Sequence, residues 1–230
     1  MMEIVPRLHT LVESELDIDW YIIDCYQPFH LSVLEAFGIP IEKVIQPHAQ
    51  LNLRCEQLVV PSYQFPNGCA ELGDFLIQHH GSQPVPELGE RIFIDRRNSR
   101  GLSNQEAFDG VLQDRGIRSC FMEDYSLQQQ MGILQQASLV VALHGAGLSN
   151  LVFCNRGTQV VELTPNGRLS HCYPILSYVK GLHHCLIGTE RGGWRRHLLK
   201  APIDVLVAHL DDLESARDDW SQTAQTLHAA

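Results

Sequence analysis

The chain reads as an α/β protein built on a doubly wound parallel sheet, and three observations carry that reading. From Arg91 onward, short β-type runs alternate with helical ones. Leu139-Val140-Val141-Ala142-Leu143 is continuously apolar, as suits a strand buried on both faces of a parallel sheet. The segment that follows it, His144-Gly145-Ala146-Gly147, is a glycine-bearing turn of the kind that joins strand to helix at the ligand-binding edge of such a sheet.

The elements follow in order. Arg91–Asp95 is the first strand of the alternating region. A helix from about Asn104 to Arg115 comes next, with Ser103 and Glu106 spaced as a capping box and Gly116 placed to end it. Ile117–Met122 is a strand. Ser126–Gln136 is a helix opened by a second box, Ser126 and Gln129. After Leu139–Leu143 and its turn, a short helix leads to the strand Gln159–Leu163. A helix near Ser170–Val179 and a strand at His184–Ile187 continue the pattern. The last helix starts near Pro202, and Ile203, Leu206, Leu210 and Leu213 give it one apolar face for the core.

The N-terminal segment is less complete. Glu3–Glu13 reads as a helix, Trp20–Asp24 as a strand, and Pro28–Phe37 as a helix ended by Gly38. Val44-Ile45 and Leu58-Val59-Val60 are further β-type runs. The linker is expected in Pro61–Gly68 or in the Gly81–Gly89 loop. Residues 1–80 are therefore expected to form a partial α/β domain, and residues 81–230 a Rossmann-like domain with a C-terminal helix.

Composition narrows the function classes. The formal net charge is −10, which argues against non-specific binding to nucleic acid or an anionic membrane surface. Against that background Arg91, Arg96, Arg97 and Arg100 lie within ten residues, which points to a specific small anion. The seven cysteines are widely spaced and form no C-x-x-C, so buried free thiols are expected rather than a disulfide framework or a zinc site. No apolar run approaches the ~20 residues of a membrane helix, and the first residues have no apolar signal-peptide core. A soluble, cytoplasmic protein is the default expectation.

Three features carry chemistry. In the turn His144-Gly145-Ala146-Gly147-Leu148-Ser149-Asn150, glycines let backbone approach a ligand, and the free N–H groups of the next helix favour a pyrophosphate. The plain alternative is a tight turn that needs small residues, with His144 merely hydrogen-bonded in place. Asp95-Arg96-Arg97-Asn98-Ser99-Arg100 ends the Arg91–Asp95 strand on the same edge, where arginines offer planar forks to phosphate; the alternative is a solvated charged loop. Glu162, read at the end of its strand, could accept both hydroxyls of a ribose, or could be an exposed strand-end carboxylate.

Taken together, Arg96-Arg97, Arg100, Asn104 and Glu106, then Glu123-Asp124, Ser126, Gln130 and Ala137, then His144–Asn150 and Val160-Val161-Glu162-Leu163, resemble glycosyltransferase family 61. That family includes bacterial capsular-polysaccharide transferases, plant xylan-decorating transferases and animal O-linked N-acetylglucosamine and O-mannose-glycan transferases. The resemblance covers roughly 20–188 and is strongest over 91–165. It implies a GT-B fold of two Rossmann-like domains, with the nucleotide-sugar held mainly by the C-terminal one. It further implies transfer to a glycan or polysaccharide acceptor with inversion, no obligatory metal and no cofactor. The nucleotide-sugar-binding set it implies is Arg96, Arg97, Arg100, Asn104, His144, Gly145, Ala146, Gly147, Asn150 and Glu162.

One departure bears on catalysis. Family members carry a His-Trp-containing motif just before a helix that resembles Val5-Pro6-Arg7-Leu8, and this sequence begins after it. The acceptor-side domain is therefore expected to be incomplete, with a base supplied from upstream absent and self-association through that domain as a consequence. Asp24 is the local candidate base.

Other readings find less support in the sequence. Asp17-Ile18-Asp19 has the D-x-D form of a metal-dependent transferase but precedes a strand. His144-Gly145-Ala146-Gly147 is close to a hydrolase oxyanion loop, yet the chain has no G-x-S-x-G. His79-His80 and His183-His184 are adjacent pairs, not the i, i+4 spacing of a helical metal site. A truncated, non-catalytic nucleotide-binding homologue is the remaining alternative.

Overall fold

The computed structural model describes residues 5–26, 28–62, 65–97, 101–166, 171–191 and 198–228. The helices are α1 (Val5–Glu13), α2 (Pro28–Ala36), α3 (Asn67–His80), α4 (Gln105–Asp114), α5 (Leu127–Gln136), α6 (Cys172–Lys180) and α7 (Ile203–His228). The strands are β1 (Tyr21–Ile22), β2 (Val44–Ile45), β3 (Arg91–Ile94), β4 (Arg118–Cys120), β5 (Leu139–Leu143), β6 (Gln159–Pro165), β7 (His183–Arg191) and β8 (Leu199–Lys200). A 3-10 helix, Ala146–Phe153, follows β5.

The expected α/β class is what forms. Six strands make one sheet in the order β4-β3-β5-β6-β7-β8. All neighbours from β4 to β7 are parallel. Only β8 runs antiparallel, against Glu190 and Arg191 of β7, so the sheet is mixed rather than purely parallel. A second, two-stranded parallel sheet pairs β1 with β2.

The order follows from two opposite windings. From β3 the chain steps outward to β4, then crosses back to β5 on the other side of β3 and continues through β6 to β7. Right-handed crossovers then put α4 on one face and α5, the 3-10 helix and α6 on the other. The two apolar clusters obey this division. Phe93, Val141, Val161 and Leu163 pack with Phe108 and Leu112 of α4 and with Leu206 and Leu210 of α7. Ile92, Ile94, Val140, Ala142 and Val160 pack with α5, the 3-10 helix and α6. Strand β5 is buried along its whole length, as its unbroken apolar run requires. Each such buried aliphatic side chain contributes about 1.5–3 kcal/mol.

Local readings are borne out in part. Ser126 and Gln129 close their capping box at the start of α5. The box expected at Ser103 and Glu106 does not form: Asn104 is the cap residue and makes no side-chain cap bond. Instead the Ser103 amide donates to the Leu199 carbonyl. The Asn104 amide side chain pairs with both backbone groups of Ala201 at 2.8 and 3.0 Å. The competing tertiary bonds tie the start of α4 to the start of α7. Trp20–Asp24 shrinks to Tyr21–Ile22, and Leu58–Val60 is not a strand. Leu58 and Val60 are 68% and 70% exposed, and no strand among the described residues pairs with them.

Helix α3 begins at Asn67, inside the Pro61–Gly68 stretch expected as linker, and fills the span up to the Gly81–Gly89 loop. Its buried residues Cys69, Leu72, Gly73 and Leu76 follow helical spacing. A Cβ on Gly73 would stand 2.1 Å from the Val152 carbonyl oxygen, so the glycine permits α3 to rest on the 3-10 helix. Through α3 and α1, residues such as Val5, Leu8 and Leu72 join the same apolar cluster as the sheet. Helix α7 is strapped on the other face by ion pairs from Glu214 to Arg91 at 2.7 Å and to Arg115 at 3.1 Å. No described helix is long and apolar enough to cross a membrane.

Candidate functional site

The change of winding falls between β3 and β5, and the crevice outside the carboxyl ends of the strands at such a point is where open α/β sheets bind ligands. Asp95, Arg96 and Arg97 leave β3 here, and His144 to Gly147 leave β5. The parallel register aligns Arg91 with Leu139 and Ile94 with Ala142. Extended by two residues, it sets Arg96 opposite His144. The guanidinium of Arg96 accordingly donates to the His144 carbonyl at 3.1 Å.

Gly145 is what lets Arg96 come so close. A Cβ there would lie 2.3 Å from Arg96 Nη1 and 2.6 Å from Cζ. Its φ of 163° is extended backbone that any residue adopts, so the glycine is required by space rather than by backbone strain. Gly147 is similar but milder, with Ile94 Cγ2 at 2.9 Å from the would-be Cβ. The 3-10 helix begins at Ala146 with no side-chain cap, so its first N–H groups lack an intrahelical acceptor.

Asp95 accepts a 2.7 Å bond from the Arg96 amide. Burial is the largest influence on its carboxyl and pushes it above the usual carboxylate range; the Arg96 amide opposes this, while Asp109 and Glu123 add to it. Arg97 is about half exposed, ion-paired to Asp124, and stacked over the Phe121 ring at 4.6 Å. Arg91 belongs elsewhere. It sits at the other end of β3, held by Glu214, roughly 16 Å from Arg96 at ~3.3 Å per strand residue. The basic cluster of the sequence thus divides between a structural strap and the crevice.

Glu162 corrects the strand boundary on which its expected role rested. Strand β6 runs on to Pro165, paired with β7 as far as Thr189, so Glu162 lies within the strand rather than at its end. It is fully buried on the face covered by α6. Its Oε1 bonds His144 Nδ1, and its Oε2 meets His184 Nε2 at 2.9 Å. His184 Nδ1 in turn meets Ser177 Oγ of α6 at 2.7 Å. The Tyr173 ring stands edge-on to His144, with centroids 5.5 Å apart. Burial pushes the Tyr173 phenol up to about 12; its hydrogen bond with Ser149 opposes this.

The remaining expected residues are placed as follows. Ala146 is exposed at the crevice and Gly147 half-buried. Asn150 is buried in the 3-10 helix, and its Oδ1 has no hydrogen-bond partner among the described residues. Asn104 is near Ala201, as described above. Arg100 lies outside the described residues. Asp24 is exposed just past β1. Among the described residues no group of three or more His, Cys, Asp or Glu side chains is arranged to hold a metal ion.

Sequence reasoning missed His184, Ser177 and Tyr173. His184 was visible only as one of an adjacent pair. Only the register of the folded sheet places it level with Val160, two residues from Glu162 on the same face.

A family model described as Glycosyltransferase 61 matches residues 1–161. The match takes in the arginines at the end of β3 and the His144–Asn150 turn. No curated protein matches the chain.

Proposed function

The chain belongs to glycosyltransferase family 61, and on that premise we propose that the β3–β5 crevice holds the diphosphate of a nucleotide-sugar. The sugar is transferred with inversion, and without a metal, to a glycan or polysaccharide acceptor. The observation that carries the reading is the convergence of Arg96, Gly145 and the open start of the 3-10 helix at the switch point of the sheet. A guanidinium and unpaired N–H groups are complementary to phosphate oxygens.

In this reading Arg96 and the main chain of Gly145–Gly147 stabilise charge on the departing diphosphate. Arg97 joins them by exchanging its contact with Asp124. Asn104 and Asn150 shape the crevice from either side. Glu162 acts through the imidazoles bound to it rather than by touching a ribose. The acceptor is supplied against the N-terminal part, as in a GT-B arrangement.

The test is calorimetric titration with pyrophosphate and with uridine, guanosine and cytidine diphosphates, in parent and Arg96→Ala. The parent is expected to bind at least one nucleotide. The variant should lose about 1.5–3 kcal/mol, the worth of a charge-assisted hydrogen bond. Equal affinities in the two proteins would remove Arg96 from the site. Turnover of sugar nucleotides then separates a transferase from a protein that only binds.

A further inference from the structure

The geometry points to His144 as the catalytic base of the transfer, held in the required proton state by Ser177, His184 and Glu162. This rests on the diphosphate reading of the crevice for the position of the substrate. It assigns a role that the crevice arginines do not fill, since nothing in their chemistry removes the proton of an acceptor hydroxyl.

The chain of bonds runs in one direction. Ser177, on α6, is fully buried and its hydroxyl lies 2.7 Å from His184 Nδ1. His184 Nε2 lies 2.9 Å from Glu162 Oε2, and Glu162 Oε1 bonds His144 Nδ1. Glu162 has no exposed surface, so its charge must be met by donors on both oxygens. An ionised Glu162 flanked by neutral imidazoles permits one proton order. The Ser177 hydroxyl donates to His184 Nδ1, His184 donates from Nε2 to Glu162, and His144 donates from Nδ1 to Glu162. That leaves His144 Nε2 as the one ring nitrogen of the chain that is bare and accepts from no partner in it. No described residue bonds it, and it is not among the buried unpaired atoms. The His144 side chain keeps 13% exposure, whereas Glu162 has none.

The placement suits an inverting displacement, in which base and leaving group stand on opposite sides of the anomeric carbon. His144 sits between the two sides. Its carbonyl is held by Arg96 on the β3 side, and its imidazole is held by Glu162 on the β6 side. The edge of Tyr173 restrains the ring from turning. In the step itself, the acceptor oxygen bonds the anomeric carbon and its proton passes to His144 Nε2. The bond from the anomeric carbon to the phosphate oxygen breaks, and its electron pair leaves on the diphosphate. The resulting imidazolium is paired with Glu162. This is the base-and-orienter arrangement of hydrolytic triads, with Ser177 and His184 as positioning residues one step further back.

The test combines a spectroscopic and a kinetic arm on the full chain. Nitrogen-15 spectra of histidine-labelled protein near neutral pH should show His144 protonated at Nδ1 and bare at Nε2, and His184 protonated at Nε2. Ser177→Ala, which removes one hydroxyl, and His184→Leu should release this order and give mixed tautomers at His144. His184→Gln keeps an N–H donor toward Glu162 and should restore it. In parallel, turnover of a panel of uridine diphosphate sugars, with water or oligosaccharides as acceptor, is followed. His144→Ala should lower turnover about 100-fold or more while pyrophosphate affinity stays within about threefold. An Nε2-protonated His144 in the parent, or undiminished turnover in His144→Ala, overturns the assignment. An unchanged His144 tautomer in both Ser177→Ala and His184→Leu overturns the positioning role. If the parent fails to bind pyrophosphate, the diphosphate reading falls, and the spectra still decide the proton order.

Discussion

Gly145→Ala tests the site through a single added methyl group. The new Cβ would stand 2.3 Å from Arg96 Nη1 and 2.6 Å from Cζ, distances that no real contact sustains. The backbone need not move, because φ at Gly145 is 163° and alanine adopts extended backbone without strain. The atoms it meets are the far end of a long side chain, so Arg96 is the part that yields. Arg96 then loses its 3.1 Å bond to the His144 carbonyl and withdraws from the crevice. Forfeiting one charge-assisted bond to phosphate costs about 1.5–3 kcal/mol, or roughly 10- to 150-fold in affinity. Folding stability should change much less. Alanine gains about 0.4–1 kcal/mol by restricting the unfolded chain, and the freed guanidinium, half-buried at the surface, finds water. The assay is pyrophosphate titration beside thermal melting. The sharper form is a double-mutant cycle with Arg96→Ala, in which Gly145→Ala should cost nothing once Arg96 is gone. Undiminished affinity, or full additivity of the two changes, would refute the argument.

Further outcomes follow from particular contacts. Gly73→Ala should destabilise the fold by about 1–3 kcal/mol, an overpacking cost, because its Cβ meets the backbone carbonyl of Val152 rather than a flexible side chain; denaturant melts read this. Asp95→Asn should raise the melting temperature at pH 7. The Asp95 carboxyl is raised above its unfolded value by burial, so the stability linked to its protonation is present below about pH 4 and is lost as pH rises. The advantage of asparagine should therefore vanish on acidification below about pH 4; a pH-independent advantage would contradict the cause given. Nucleotide affinity should survive EDTA, since Arg96 and helix N–H groups supply the positive field; a strict requirement for Mn²⁺ or Mg²⁺ would revive the role of Asp17 and Asp19.

The sequence by itself determined the class of the fold and the edge on which the candidate site is proposed. The unbroken apolar run of β5 has no stable place except a sheet covered on both faces, and the alternation from Arg91 demands crossovers. The Ser126–Gln129 box was equally legible, because capping is decided within one turn of chain. Bonds between distant segments could not be read in this way. Asn104, which the resemblance implies holds nucleotide-sugar, pairs its side chain with Ala201, and Ser103, expected to cap α4, bonds Leu199 through its amide. Nothing local marks Gly73, although it is the residue that admits α3 to the core. Leu58–Val60 had the composition of a strand, yet no described strand lies beside it to pair. The same holds at the site. Composition marked Arg96, His144 and Glu162, but only strand order and register decided what each one touches. Register set Arg96 against the His144 carbonyl, and the extension of β6 to Pro165 buried Glu162 between His144 and His184. A residue's propensity acts over a few neighbours in sequence, whereas a buried carboxylate must find its donors wherever the fold brings them.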